Sequence, residues 1–214
     1  ILRRYGDRIA LLAYHLHAPA PDPLAVRAGR ERAAELGLER VPAIYVDGEP
    51  VLVGGVRASA AARAFRRVEE SIAAARKESR RWRLAGEARY DAGARTIAGE
   101  LRVAGPPGRV QLWLAARRAI YPGADRLFIH RGVARFRLYR GDAQERIPFR
   151  ADLKGIWAAL AWDLDALEMK LIEQGFSFRW KPTRPDPAEL VLTAFVTDGG
   201  AVSLLVQHLL ERMK

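Results

Sequence analysis

Val41-Pro42-Ala43-Ile44-Tyr45-Val46-Asp47-Gly48-Glu49-Pro50-Val51-Leu52-Val53-Gly54-Gly55 is the stretch whose reading decides the fold. Residues 43–46 are β-formers bounded by Pro42 and by Asp47-Gly48, which predicts a short strand. Asp-Gly is a hairpin signal, because both central residues of such a turn can take positive φ. Residues 50–53 predict the return strand, and Pro50 at its first position removes no central ladder bond. Gly54-Gly55 closes the hairpin. A helix is predicted over residues 59–77, with Ser59 as its N-cap. Phe65, Val68 and Ile72 have the three- and four-residue steps of an inward stripe.

Upstream, residues 25–36 predict a helix with Gly37 at its C′ position. Ala18-Pro19-Ala20-Pro21-Asp22-Pro23 is too rich in proline for regular structure. Residues 8–17 hold the continuous apolar run Ile9-Ala10-Leu11-Leu12-Ala13-Tyr14, which predicts a strand buried on both faces. Residues 1–6 predict the end of a helix stopped by Gly6.

This order of strand, helix, Gly-containing turn, Val-Pro, hairpin, Gly-Gly and helix resembles the C-terminal half of the thioredoxin fold, over residues 1–78. The resemblance implies a cis Pro42 facing a redox motif, with Val41 meeting a bound peptide by short β-type pairing. Val41 and Pro42 are therefore the candidate substrate-binding residues, and a protein or peptide is the expected partner. In that family a Cys-x-x-Cys pair opens the helix before the strand matching residues 8–17, where the helix N-terminus stabilises the thiolate. This chain has no cysteine, so no catalytic residue is assigned in it. The implied function is thiol–disulfide exchange by a longer chain with Cys-x-x-Cys before Ile1. The alternative is a non-catalytic binding or structural module that keeps the fold without the thiols. The family also places one more strand between those matching residues 8–17 and 43–46. A buried strand without that neighbour would carry unpaired backbone groups. The expectation is that the chain is a fragment, or that another segment fills the gap.

From residue 79 the pattern changes. Residues 81–90, 96–103, 109–114 and 127–139 read as antiparallel strands, punctuated by Asp91-Ala92-Gly93 and Gly105-Pro106-Pro107-Gly108. A long helix is predicted over residues 152–174, with Asp152 as N-cap, Gly175 as stop and Leu153, Ile156, Trp157, Leu160, Leu164, Leu167 and Leu171 as its apolar face. Residues 179–187 read as a proline-rich linker. Residues 190–196, the Asp198-Gly199-Gly200 turn and residues 201–210 predict a final hairpin. The expected fold class is thus an incomplete α/β thioredoxin-like domain, residues 1–78, followed by an antiparallel β-sandwich with one inserted long helix, residues 79–214. Arg126-Leu-Phe-Ile-His-Arg-Gly-Val-Ala-Arg135 and Thr193-Ala-Phe-Val-Thr-Asp-Gly-Gly-Ala-Val-Ser-Leu-Leu-Val-Gln207 resemble the module that follows thioredoxin-like domains in bacterial secreted and Omp28-like proteins. That group often has two adjacent histidines where this chain has Ile129-His130. The resemblance implies a periplasmic, extracellular or cell-envelope location.

No apolar run approaches the length of a membrane-spanning helix. The formal net charge is +11 with a pI near 10.6. Among the 36 basic residues only Lys77, Lys154, Lys170, Lys181 and Lys214 are lysine. The charge is spread along the chain and no nucleic-acid motif accompanies it, so no specific nucleic-acid partner is expected. His15 and His17 share one face of a strand and, with Asp22, supply too few ligands for a metal site. Hydrogen bonding to the proline-rich loop is the expected role, and no metal or cofactor is assigned. Arg131, Arg135, Arg137 and Arg140 form a basic band, the first three on one face of a regular strand. It reads as a solvated strand face, or else as a surface for an anion. Trp113 and Trp157 fall on inward positions. Trp162 falls off the helix's main stripe, as an exposed residue. His130 and His208 read as structural.

Overall fold

The computed structural model describes residues 2–5, 9–17, 21–77, 81–120, 129–175, 184–198, 201–209 and 211–212. The Gly6 helix stop, part of the proline-rich loop, the boundary at residues 78 and 79, residues 126–128, most of the 179–187 linker, Trp180 and the Gly199-Gly200 turn lie outside them.

The deciding hairpin forms as read. β1 (Ala43–Val46) pairs antiparallel with β2 (Glu49–Val53). Asp47 and Gly48 both take positive φ, 47° and 89°. Upstream lie a short helix, α1 (Leu2–Tyr5), and α2 (Arg27–Glu35). α2 ends as a Schellman motif: Leu38 N–H bonds Ala33 O at 2.9 Å, Gly37 N–H bonds Ala34 O at 3.0 Å, and Gly37 has φ 60°. After the hairpin, a 3₁₀ turn at Ala58–Ala60 leads into α3 (Ala61–Ala75). Ser59 sits inside that turn and caps nothing; the N-cap residue is Ala60. Val68 and Ile72 are buried with Tyr5 and Val51, whereas Phe65 is exposed, contrary to the expected stripe.

Two antiparallel sheets follow. β3 (Arg83–Asp91), β4 (Thr96–Ala104) and β7 (Arg146–Asp152) form one, with β10 (Glu211–Arg212) joining β3 in parallel. β5 (Arg109–Ile120), β6 (Ile129–Asp142), β8 (Leu190–Asp198) and β9 (Ala201–Leu209) form the other, in the order β6-β5-β8-β9. Leu84, Ile97, Leu101 and Ile147 of the first meet Val110, Leu112, Leu114, Leu192 and Val196 of the second in one core, so the sandwich is real. β7 has no counterpart in the sequence reading. Pro148 in its middle argues against a central strand, and β7 is indeed an edge strand, where a missing donor is tolerated. α4 (Leu153–Glu173) leaves β7 directly, with Asp152 accepting from Lys154 N–H at 2.9 Å and Gly155 N–H at 3.1 Å. Leu153 and Ile156 enter the sandwich core, while Trp162 is 72% exposed.

Residues 9–17 depart most from the expectation. They form no regular strand; Ile9 packs, as Val46 of β1 does, on the Tyr5, Val51, Val68 and Ile72 cluster, whereas Leu12 and Tyr14 turn to the second sheet. Ala13 bridges β6 in parallel: its N–H bonds Gly132 O at 2.7 Å, and its carbonyl accepts from Ala134 N–H at 3.0 Å. The apolar run therefore covers the outer face of the second sheet together with α2. Leu12, Tyr14 and Ala28 pack there on Trp113, Ala134 and Phe195. Trp113 is fully buried, but in this outer layer and not in the sandwich core. Covering both faces explains why every residue of 110–116 and 190–196 is buried, Gln111 and Thr193 included, while β3 and β4 alternate.

Candidate functional site

Pro42 is exposed at the mouth of the hairpin, and the Val41–Pro42 bond is cis, as the resemblance implies. Pro42 O accepts from Gly54 N–H at 2.8 Å, which ties the entry of β1 to the exit of β2. β1 pairs with β2 on one edge; among the described residues no strand pairs with its other edge. Ile44 on β1 and Val53 on β2 are 39% and 49% exposed, and Val56 and Phe65 are exposed as well. The hairpin thus offers backbone pairing groups flanked by apolar side chains.

A second concentration of polar groups lies where the start of α2 meets β6. The structure brings together His15, His17 and Asp22, which the sequence singled out, with His130 and Arg135. His15 Nδ1 is 2.7 Å from Asp22 Oδ2, and the His15 and His130 rings meet edge to face at 5.0 Å. Asp22 Oδ1 accepts from Leu24 N–H at 2.8 Å, and Asp22 N–H donates to His17 Nδ1 at 3.1 Å. Burial works against the Asp22 charge. The hydrogen bond and charge of His15, the Leu24 N–H and His130 outweigh it and hold the carboxyl below its usual range. Burial, then the charge of Arg30, lowers His17, with Asp22 opposing. The expected hydrogen bonding to the proline-rich loop is what these groups do. Among the described residues no group of three or more His, Asp or Glu side chains could hold a metal ion.

The basic band does not share one face, because β6 is not regular. Register shifts fall opposite Leu112/Trp113 and Leu114/Ala115. Such bulges re-aim side chains. Arg137 lies over the Trp113 ring at 5.4 Å and bonds Glu31 and Glu35 of α2. Arg140 reaches Glu35 at 2.9 Å. Arg131 is exposed. Arg135, at the second shift, is 8% exposed and donates from Nη1 to Leu24 O at 3.3 Å. Burial lowers its pKa to about 10, with Asp22 opposing, so it stays a cation at neutral pH. Regular two-residue alternation predicts neither the burial of Arg135 nor its separation from Arg137. The signal that could have found it is Gly132, a strand-interior glycine that marks close backbone approach.

Among the described residues no helix is long and apolar enough to cross a membrane. No family model and no curated protein matches the chain. Among solved structures, a domain of the outer membrane lipoprotein Omp28 from Porphyromonas gingivalis is similar at a TM-score of 0.37 and 9% identity, over 64% of this chain and 93% of that one.

Proposed function

We propose that this chain is a non-catalytic binding module of the bacterial cell envelope, with a thioredoxin-like first part that docks an extended segment of a protein partner along β1. The observation that carries this reading is the outer edge of β1, which has no paired strand among the described residues. Exposed Ile44 lies on it and exposed Pro42 just before it. An extended peptide added to such an edge gains backbone hydrogen bonds, and its alternate side chains meet the exposed apolar ones. Val41 supplies the backbone at the start of the edge. The cell-envelope placement and the thioredoxin-like character rest on the sequence resemblance.

The test is a titration of isotope-labelled protein with a library of extended apolar peptides. Amide shifts are expected at Val41 and at residues 43–46, and Ile44→Glu is expected to abolish them. Shifts confined to other parts of the chain would overturn the reading.

The order of helix, proline, hairpin and helix also suits the catalytic expectation, thiol–disulfide exchange. Its thiols would come from outside these 214 residues, which hold no cysteine. Insulin reduction by the natural full-length protein tests that alternative, and its absence despite intact thiols would exclude it.

A further inference from the structure

A cavity of about 220 Å³ lies between the start of α2 and the middle of α4. Its charged walls are Arg27, Arg30, Arg135 and Lys170, set against Asp22 and Asp163. Leu160, Leu164 and Leu167 make its apolar side. The volume lies below the roughly 300 Å³ at which drug-sized sites begin, so it suits a small ligand.

Arg135 is the buried cation of this cavity. It is 8% exposed, and its Nε is buried without a hydrogen-bond partner. Nη1 has only the long bond to Leu24 O. The acid acting on it is Asp22, whose oxygens are engaged by His15 and by Leu24 N–H. A buried cation with an unsatisfied donor is costly, and native proteins rarely leave one so. The β6 bulge sets Arg135 apart from Arg137, which is bound to α2. A second feature agrees. The N-cap residue of α2, Val26, supplies no side-chain hydrogen bond, and Ala25, Val26 and Arg27 line the cavity. The positive end of the helix therefore faces the same space.

We propose that this cavity binds a small carboxylate with a short apolar tail. The carboxylate lies against the Arg135 guanidinium, and the tail lies along the α4 leucines. A guanidinium edge presents two parallel N–H donors, which match the two oxygens of a carboxylate. Arg30 and the α2 terminus add positive potential at the head. The leucine wall rewards a tail that an inorganic anion lacks. The site is separate from the β1 edge, and Ile44→Glu leaves it intact.

The experiment is calorimetric titration of the protein with hexanoate, with hexanamide and inorganic phosphate as controls at matched ionic strength. Hexanoate is expected to bind and to raise the melting temperature, and neither control to do so. Arg135→Met is expected to weaken binding roughly tenfold to a hundredfold, the loss of a hydrogen bond to a charged group. Leu164→Trp, which fills the apolar side without touching the cation, is expected to weaken hexanoate as well, and it decides the matter should Arg135→Met fail to fold. Absence of hexanoate binding, or binding unchanged in both variants, overturns the site. An equal response to hexanamide overturns the anionic head, and an equal response to phosphate overturns the tail.

Discussion

Arg137 on β6 donates from Nη1 to Glu35 Oε1 on α2 at 3.0 Å, across 102 positions of sequence. Glu35 also accepts from Gln111 Nε2 at 3.0 Å and Arg32 Nη1 at 3.1 Å, and meets Arg140 at 2.9 Å. One carboxylate thus fixes α2 to the outer face of the second sheet. The Arg137 side chain is only 12% exposed, so removing Glu35 leaves this poorly solvated cation with Glu31 alone. Glu35→Ala is expected to cost about 2 kcal/mol in urea denaturation, within the range for hydrogen bonds to charged groups. Amide exchange should rise in residues 27–35 and stay unchanged in β3 and β4. Equal loss of protection in both places would show that the layer does not open on its own.

The same carboxylate predicts an acid limb of stability. Burial opposes the Glu35 charge, but hydrogen bonds from Gln111 and Arg32, the charge of Arg140 and the Arg137 bond outweigh it and lower its pKa. Asp22 is lowered as well. Such groups bind a proton in the unfolded chain at a higher pH than in the folded one. Their contribution is therefore complete above the unfolded carboxylate range and falls as pH drops through the folded values. His17, also lowered, adds a gentler decline that begins as pH falls through its unfolded value near 6.5. Melting temperature against pH should show both limbs. Glu35→Gln should flatten the lower one; a curve identical to wild type would contradict the assignment.

Two glycines with nearly the same φ separate conformation from contact. Gly37 has φ 60° and open space around its missing Cβ, whereas a Cβ on Gly132, φ 63°, would overlap Leu11 O. Gly37→Ala is expected to cost only the left-handed conformation, about 1 kcal/mol. Gly132→Ala should cost more than twice as much and expose residues 11–15 to amide exchange. Equal costs would mean that the approach of Leu11 to β6 contributes nothing.

Trp113 reports on the outer layer. It is fully buried, donates from Nε1 to Gln111 Oε1 at 3.1 Å and meets the Tyr14 ring edge-on at 5.0 Å. Burial pushes the Tyr14 hydroxyl well above its usual value. Trp113→Ala is expected to cost roughly 3–5 kcal/mol, as for other large buried side chains. Trp113→Phe should cost clearly less, because it keeps the ring contact. A small cost for Trp113→Ala, measured by urea denaturation, would show that α2 and residues 11–15 close over the gap.

The local pieces were legible from the residues alone. The Asp47-Gly48 turn, the Gly37 helix stop, the Asp152 cap and the alternation of β3 and β4 are written in neighbouring residues, because a turn, a cap or a half-buried strand is settled within one or two turns of chain. Val41 and Pro42 became a candidate site through the resemblance, not through their neighbours alone. The partner of residues 9–17 was not legible. Their apolar run states that both faces are covered and leaves open by what. Packing of Leu12 and Tyr14 on Trp113, and the room that Gly132 leaves for Leu11, set them against β6 and not in a sheet with β1. Only the tertiary structure could place Arg135. A bulge breaks the two-residue period on which any face assignment depends, so one register shift in β6 separated it from Arg137 and left it as a buried cation in the cavity beside α4.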